Sequence, residues 1–330
     1  MSPRLLITGA NGFIGSALTD AALARGWEVT AAVRPNSDRT YLQDRRLRFV
    51  HLPYHTPPAL AEMLRQQGRF DYVAHIAGAT KALRSEDYFR INTDYTRHLA
   101  EALVEEDLRP QCFLFLSSLA ALGPATNAER VRPDQPPMPV TTYGASKRAA
   151  EEHLEALTGR LPWVVVQPTA VFGPRDRDLF QFVQLVNHGL ELYIGLTPQR
   201  ASFIYVSDLV ALMLAALERG LQGRKYIAAD GRDYTTDDLG EAVRTALGRR
   251  TLRLRLPLAG VQAIAALSEW AGKWQGKMPA LNREKLRELG GANWHCDTSE
   301  TFSLLNFQPQ YDLYRGMEET VKWYRQHGWL

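Results

Sequence analysis

The first fifteen residues constrain this chain more than any other stretch. A short apolar run at residues 4–8 leads into Thr8-Gly9-Ala10-Asn11-Gly12-Phe13-Ile14-Gly15, and a helix-like run follows at once. Glycine accepts tight turns and lets the backbone approach a ligand, while the free N–H groups and positive dipole at a helix start favour an anion. Strand, glycines at i, i+3 and i+6, and helix, in that order, predict a pyrophosphate-binding turn opening a βαβ unit. Glycines that only turn the chain would not need both neighbours. The turn nominates Gly9, Asn11, Gly12, Phe13, Ile14 and Gly15 as cofactor-binding residues.

The alternation continues downstream. Strands are predicted at residues 28–33, 47–52, 72–76, 112–117 and 163–167, and helices at 14–25, 59–67, 88–106 and 143–157. That pattern reads as α/β, a Rossmann-type doubly wound parallel sheet. After Pro168, proline and glycine punctuate residues 172–199, one further sheet element is expected at 225–228, and residues 203–219 return to the main body. Residues 1–170 with the return segment 203–230 are expected to form an NADP-binding Rossmann domain. Residues 171–202 and 231–330 are expected to form a smaller, mostly helical C-terminal substrate lobe. Its helices are placed at 178–189, 236–247, an apolar stretch after Pro257, and 314–327.

Composition narrows the class. A chain of 330 residues, 45% hydrophobic and 23% charged, can bury a large core and is not disordered. The net charge of +3 is scattered with no block of like sign, which argues against nucleic acid as a partner. Cys112 and Cys296 lie far apart without metal spacing, so no metal is expected. The start carries no apolar stretch long enough for a secretion signal, and a reducing, cytoplasmic setting is the expectation. No run of about 18 apolar residues exists, hence no membrane span. The nearest approach, residues 254–271, reads as a core or pocket helix in preference to a membrane-surface one.

The second strand ends in Val33-Arg34, where NAD-selective folds carry an acidic residue for the ribose hydroxyls. With no carboxylate there, Arg34 can pair with a 2′-phosphate, and Ser37 or Arg39 could add to it. NADP is therefore the expected cofactor, with NAD as the alternative. Tyr143-Gly144-Ala145-Ser146-Lys147 puts a phenol and an ammonium four residues apart on one helix face. A cation beside a phenol lowers its pKa from about 10 and suits it to proton transfer. A buried-type strand ends upstream in Ser117-Ser118, and the carboxyl end of such a strand opens into the ligand crevice.

With TGANGFIG, HIAGATKA, LFLSSLAALG, YGASK, PTAVFGPRD and FIYVSDL in this order, the chain resembles the extended short-chain dehydrogenase/reductase family over nearly its whole length. The resemblance implies Tyr143 as acid/base, Lys147 as the residue that lowers its pKa and binds the ribose, and Ser118 as the catalytic hydroxyl with Ser117 its structural neighbour. It places Ala77, Gly78 and Ala79 beside the nicotinamide ribose, and Pro168 to Val171 at the carboxamide. Thr80, Ser118, Thr169 and Phe172 are the implied substrate positions. His75 reads as a satisfied strand-end histidine. One departure is His51-Leu52-Pro53-Tyr54, where the family often has an aspartate near the adenine, which leaves that contact open. A homodimer through the helices at 88–106 and 143–157 is expected.

Within the family, 4,6-dehydratases carry Thr-Asp-Glu where this chain has Ser118-Leu119-Ala120. Sugar epimerases usually have asparagine at Thr169 and an arginine two residues before the Phe203 position, whereas Arg200 here stands three before it. The VRPNSD run, PTAVFGPRD and the C-terminal stretch resemble the 3β-hydroxysteroid dehydrogenase and dihydroflavonol reductase branch. That implies an alcohol or ketone of a steroid-, sterol- or flavonoid-like molecule, with Trp270 and Trp274 as candidates for a pocket wall. A nucleotide-sugar epimerase is the alternative. A non-catalytic NADP(H)-sensing protein is a third, against which an intact Ser118, Tyr143 and Lys147 argue.

Overall fold

The fold was analysed in a computed structural model that describes residues 2–125, 129–219, 221–257 and 293–330. Residues 258–292 lie outside the described part, and with them the predicted apolar helix, Trp270 and Trp274.

Strand runs with apolar residues on both faces need cover on both sides, and the central ones receive it. β1 (Arg4–Thr8), β2 (Glu28–Ala32), β3 (Arg48–Val50), β4 (Tyr72–His75), β5 (Cys112–Leu116), β6 (Trp163–Pro168) and β11 (Arg224–Ala228) make one parallel sheet in the order β11-β6-β5-β4-β1-β2-β3. Alternate side chains feed opposite cores. Leu5, Ile7, Leu114, Leu116, Val164 and Val166 join α1 (Phe13–Ala24) and α7 (Val206–Arg219) on one face. Leu6, Val73, Phe113, Phe115 and Val165 meet α2 (Pro57–Gln67), α4 (Tyr95–Glu105) and α5 (Thr142–Ala156) on the other. The chain runs outward from β1 to β3, then crosses back to lay β4 on the other side of β1. The two directions diverge between β1 and β4, and in doubly wound sheets the carboxyl ends of the strands at such a switch point are where ligands bind.

The helix expected at 88–106 is not uniform. α3 (Ser85–Tyr88) passes into a π-helical turn, Phe89–Asp94, before α4 resumes. The cause lies in what the turn presents: Asn92 Nδ2 donates to Ser146 Oγ (2.9 Å) and Thr93 Oγ1 to the Ser146 carbonyl (2.8 Å), which locks the turn against α5. Such insertions recur at functional sites.

A further core gathers β7 (Ala170–Phe172), β10 (Phe203–Tyr205), α6 (Arg177–Asn187), α8 (Thr236–Leu247) and α10 (Leu313–Gln326) around Phe172, Val183, Val243, Met317 and Tyr324. This region holds more strand than expected. β7 pairs with β10, β8 (Leu190–Ile194) with β13 (Leu252–Leu256), and β9 (Arg200–Ala201) with both β12 (Tyr234–Thr235) and β14 (Asn293–Trp294). α9 (Ser299–Leu305) packs back against α7 and β11.

Candidate active site

The glycine turn is shaped by backbone contacts that no side chain could share. Gly9 holds φ at +67°, and a Cβ there would stand 2.8 Å from the Ala77 nitrogen. A Cβ on Gly15 would stand 2.1 Å from the Gly9 carbonyl oxygen. That same oxygen accepts from the Gly12 N–H at 3.0 Å. α1 starts after an extended Gly12 with no side-chain cap and no acidic residue in its first turn, so its free N–H groups and positive dipole end stay uncompensated. Asn11, Phe13 and Ile14 flank the turn half-buried.

Thr8 ties this turn to β4. Its Oγ1 accepts from the Ile76 and Ala77 N–H groups, each at 3.1 Å, and lies 2.8 Å from His75 Nδ1. His75 Nε2 reaches Thr96 Oγ1 at 3.0 Å. Burial, reinforced by the Lys147 charge, drives the His75 pKa down to about 3, so the ring is neutral and pins two strands to a helix. Tyr54, in the run that departs from the family, stacks on Tyr95 with centroids 5.1 Å apart.

α5 delivers the phenol and the ammonium. Thr141 caps the helix by accepting from the Gly144 N–H at 3.0 Å. Gly144 itself must be glycine, since a Cβ would lie 2.2 Å from the Ala120 oxygen. This close approach sets the first turn of α5 directly on the 3-10 turn Leu119–Ala121 that follows Ser118. Tyr143 is half-buried, its ring 6.3 Å from that of Tyr88. Lys147 is buried, donates from Nζ to the Leu116 carbonyl at 2.8 Å and stands 4.7 Å over the Phe115 ring. Desolvation lowers its pKa to about 8, with the Glu151 carboxylate pulling the other way.

The two serines ending β5 divide. Ser118 has extended backbone, φ −161°, so adjacent side chains leave on opposite faces. Ser117 Oγ donates to Glu151 Oε1 at 2.5 Å behind the sheet end, while Ser118 Oγ is half-buried and accepts from the Ala120 N–H at 3.2 Å. Gly9 to Gly15, Ala77 to Ala79, Ser118, Tyr143 and Lys147 thus come together at one end of the sheet. Asn92, unread in the sequence, belongs with them. It accepts from the Ala79 N–H (2.7 Å) and donates to the Ala79 oxygen (3.0 Å), and a Cβ on Gly78 would be 3.0 Å from both Asn92 Oδ1 and Lys147 Nζ. A polar residue inside an otherwise ordinary helix was the available signal; the π-helical turn that aims it was not.

Arg34 is exposed just past the end of β2, its carbonyl accepting from the Ser37 N–H at 3.0 Å. Ser37 Oγ is buried with no hydrogen-bond partner among the described residues, and Arg39 lies 4.4 Å over the Phe49 ring. Pro168 closes β6, Val171 is half-buried, and Thr169 Oγ1 donates to the Ala228 carbonyl at 3.3 Å. Thr80 is exposed on the loop after β4. Phe172, one of the implied substrate positions, is 2% exposed and packs edge-on against Phe203 and Tyr205. Among the described residues no cluster could hold a metal ion and no helix is long and apolar enough to cross a membrane.

A profile of the NAD dependent epimerase/dehydratase family matches residues 5–229. The chain is 28% identical to a ceramide reductase of Caulobacter vibrioides, covering 98% of this chain and 95% of that one. It is 24% identical to a UDP-glucose 4-epimerase of Vibrio cholerae, with 98% and 95% covered. It is 26% identical to sterol demethylase protein B of Methylococcus capsulatus, with 98% and 99% covered.

Proposed function

The chain belongs to the NAD dependent epimerase/dehydratase family, and we propose that within it this protein is an NADP(H)-dependent oxidoreductase interconverting an alcohol and a ketone on a largely apolar, steroid-, sterol- or flavonoid-like molecule. The observation that carries this reading is the site at the end of β5, where Ser118, Tyr143 and Lys147 meet a 3-10 turn of buried Leu119, Ala120 and Ala121. Proton transfer to one oxygen is provided for, while the carboxylates that a dehydratase would need on that turn are replaced by apolar side chains. The ceramide and sterol relatives support an apolar substrate. The epimerase relative supports the competing reading, a nucleotide-sugar epimerase acting through the same tyrosine.

The residues fit a dinucleotide. The Gly9–Gly15 turn would hold the pyrophosphate, Lys147 the nicotinamide ribose, Pro168 to Val171 the carboxamide, and Arg34 the 2′-phosphate. Bound NADPH supplies the hydride that reaches the carbonyl carbon. Ser118 donates a hydrogen bond to the carbonyl oxygen, and Tyr143 passes its proton to that oxygen as charge develops there. Lys147 stabilises the phenolate left behind. Residues 171–202 and 231–330 form the part that receives substrate, and the helices at 88–106 and 143–157 serve a homodimer.

The test is spectroscopic. The protein is incubated with NADPH and a panel of hydrophobic ketones, and separately with UDP- and GDP-sugars, following nicotinamide absorbance and sugar products. Stoichiometric cofactor oxidation by a ketone is expected; interconversion of sugars with no net cofactor change would sink the proposal.

A further inference from the structure

We propose that Glu151 is a positioning residue of this site: its carboxylate, buried behind the sheet end, clamps the end of β5 through Ser117 and supplies the negative charge that keeps Lys147 an ammonium. The inference rests on the role given above to Lys147.

Glu151 is fully buried and stands one helical turn beyond Lys147 on the same face of α5. It takes the Ser117 hydroxyl at 2.5 Å, the Gln167 amide at 2.9 Å and the Lys225 ammonium at 2.8 Å. Ser117 lies between two site residues, Leu116, whose carbonyl holds Lys147 Nζ, and Ser118. One carboxylate therefore governs the strand end that carries both. A buried lysine loses charge readily, because its burial penalises the ammonium, and a nearby anion opposes that. Among the described residues the charged and titratable neighbours are few. On α5 they are Tyr143, Arg148 (3.5 Å from Glu151) and Glu155; from β11 comes Lys225, which also pairs with Glu155 at 2.5 Å; and from β4 comes the neutral His75. Lys225 and Arg148 take part of the Glu151 charge, so its effect on Lys147 is moderated.

The sign follows. Lys147 is charged below its pKa and grips the cofactor ribose; affinity falls as pH rises through that value. Glu151→Gln removes the anion, so Lys147 discharges at lower pH. The measurement is the NADPH dissociation constant, from nicotinamide fluorescence, between pH 6.5 and 10.5. The wild-type protein should weaken above about pH 8, and Glu151→Gln about one unit lower, with Glu151→Asp restoring the wild-type profile. If Glu151→Gln does not fold, Glu151→Met removes the same charge with a side chain that needs no hydrogen-bond partner of its own, and gives the same readout. An unshifted profile in either folded protein overturns the proposal. Lys147→Met separates the two ideas: it should abolish the alkaline loss, and if the loss persists there, the assignment of Lys147 itself fails.

Discussion

Around the carboxyl ends of β1, β4 and β5, positions are dictated by main chain. Gly9, Gly15 and Gly144 exist because backbone atoms stand 2.1 to 2.8 Å from where a Cβ would be, and Thr8 and Asn92 spend their side chains on N–H and C=O groups. Around Phe172 the reverse holds. There Phe172, Phe203, Tyr205, Tyr234, Phe180, Tyr324 and Trp329 pack ring on ring, with edge-on pairs and centroids 4.9 to 6.3 Å apart. A backbone-built cradle has a single solution and suits a cofactor that does not vary. An aromatic core can be refilled with other shapes of similar volume, so its residues can vary without moving the glycine turn.

The sharpest break of that contrast is Tyr143→Phe, which should remove chemistry and nothing else. Ketone reduction should fall by about a hundredfold to ten-thousandfold, the range for a lost general acid. NADPH affinity and the thermal midpoint should stay close to wild type, since the ring and its packing beside Tyr88 survive. Retention of more than about a tenth of the rate, a loss under ~1.4 kcal/mol, would remove Tyr143 from the role.

Phe172→Ala attacks the other region. Emptying a site this well packed should lower unfolding stability by ~3–5 kcal/mol in denaturant titrations. The folded fraction should bind NADPH within a few fold of wild type, because the Phe172 ring packs on Phe203, Tyr205 and Gly316 and not on the glycine turn, even though its neighbour Val171 is assigned to the carboxamide. A parallel loss of NADPH affinity would mean that the two regions are not independent.

The same contrast governs what could be read from the sequence. The sheet was legible because its central strands are short, mostly apolar runs alternating with helix-like stretches, and the glycine turn because steric exclusion leaves a mark in residue type. Tyr143 and Lys147 were legible because helical spacing alone puts them together. Asn92 was not, since its position depends on a π-helical turn locked by Ser146, a contact between helices remote in sequence. Glu151 was hidden as one more charge on a helix rich in them, and only burial separates it from Glu152 and Glu155. The burial of Phe172 was not legible, because its motif says nothing of the aromatic core into which β7 turns it. The strands β9, β12 and β14 are two residues each, too brief for period-two alternation to stand out, while the alternation of β13 overlaps the apolar stretch 254–271 that reads as a helix.

The smallest expected effect tests how far backbone control extends. Arg34 lies at the edge of the cradle, exposed, with its carbonyl held by the Ser37 N–H. Past the end of β2 the chain offers no carboxylate at the position that would pair ribose hydroxyls, and the buried Ser37 hydroxyl, unpartnered among the described residues, sits in the same turn. A charge-assisted contact to a phosphate is worth ~1.5–3 kcal/mol, about tenfold to a hundredfold in dissociation constant. Calorimetry should therefore find NADPH bound more tightly than NADH by that factor, and Arg34→Ala should erase most of the difference by weakening NADPH alone. The loss should shrink as salt rises, because an exposed ion pair is screened. NADH affinity must stay unchanged in the variant, since that cofactor lacks the phosphate; if both weaken together, Arg34 supports the turn instead of reading the ligand. Equal or tighter binding of NADH by the wild-type protein would reverse the cofactor assignment while leaving the glycine turn and the Ser118, Tyr143 and Lys147 site as they stand.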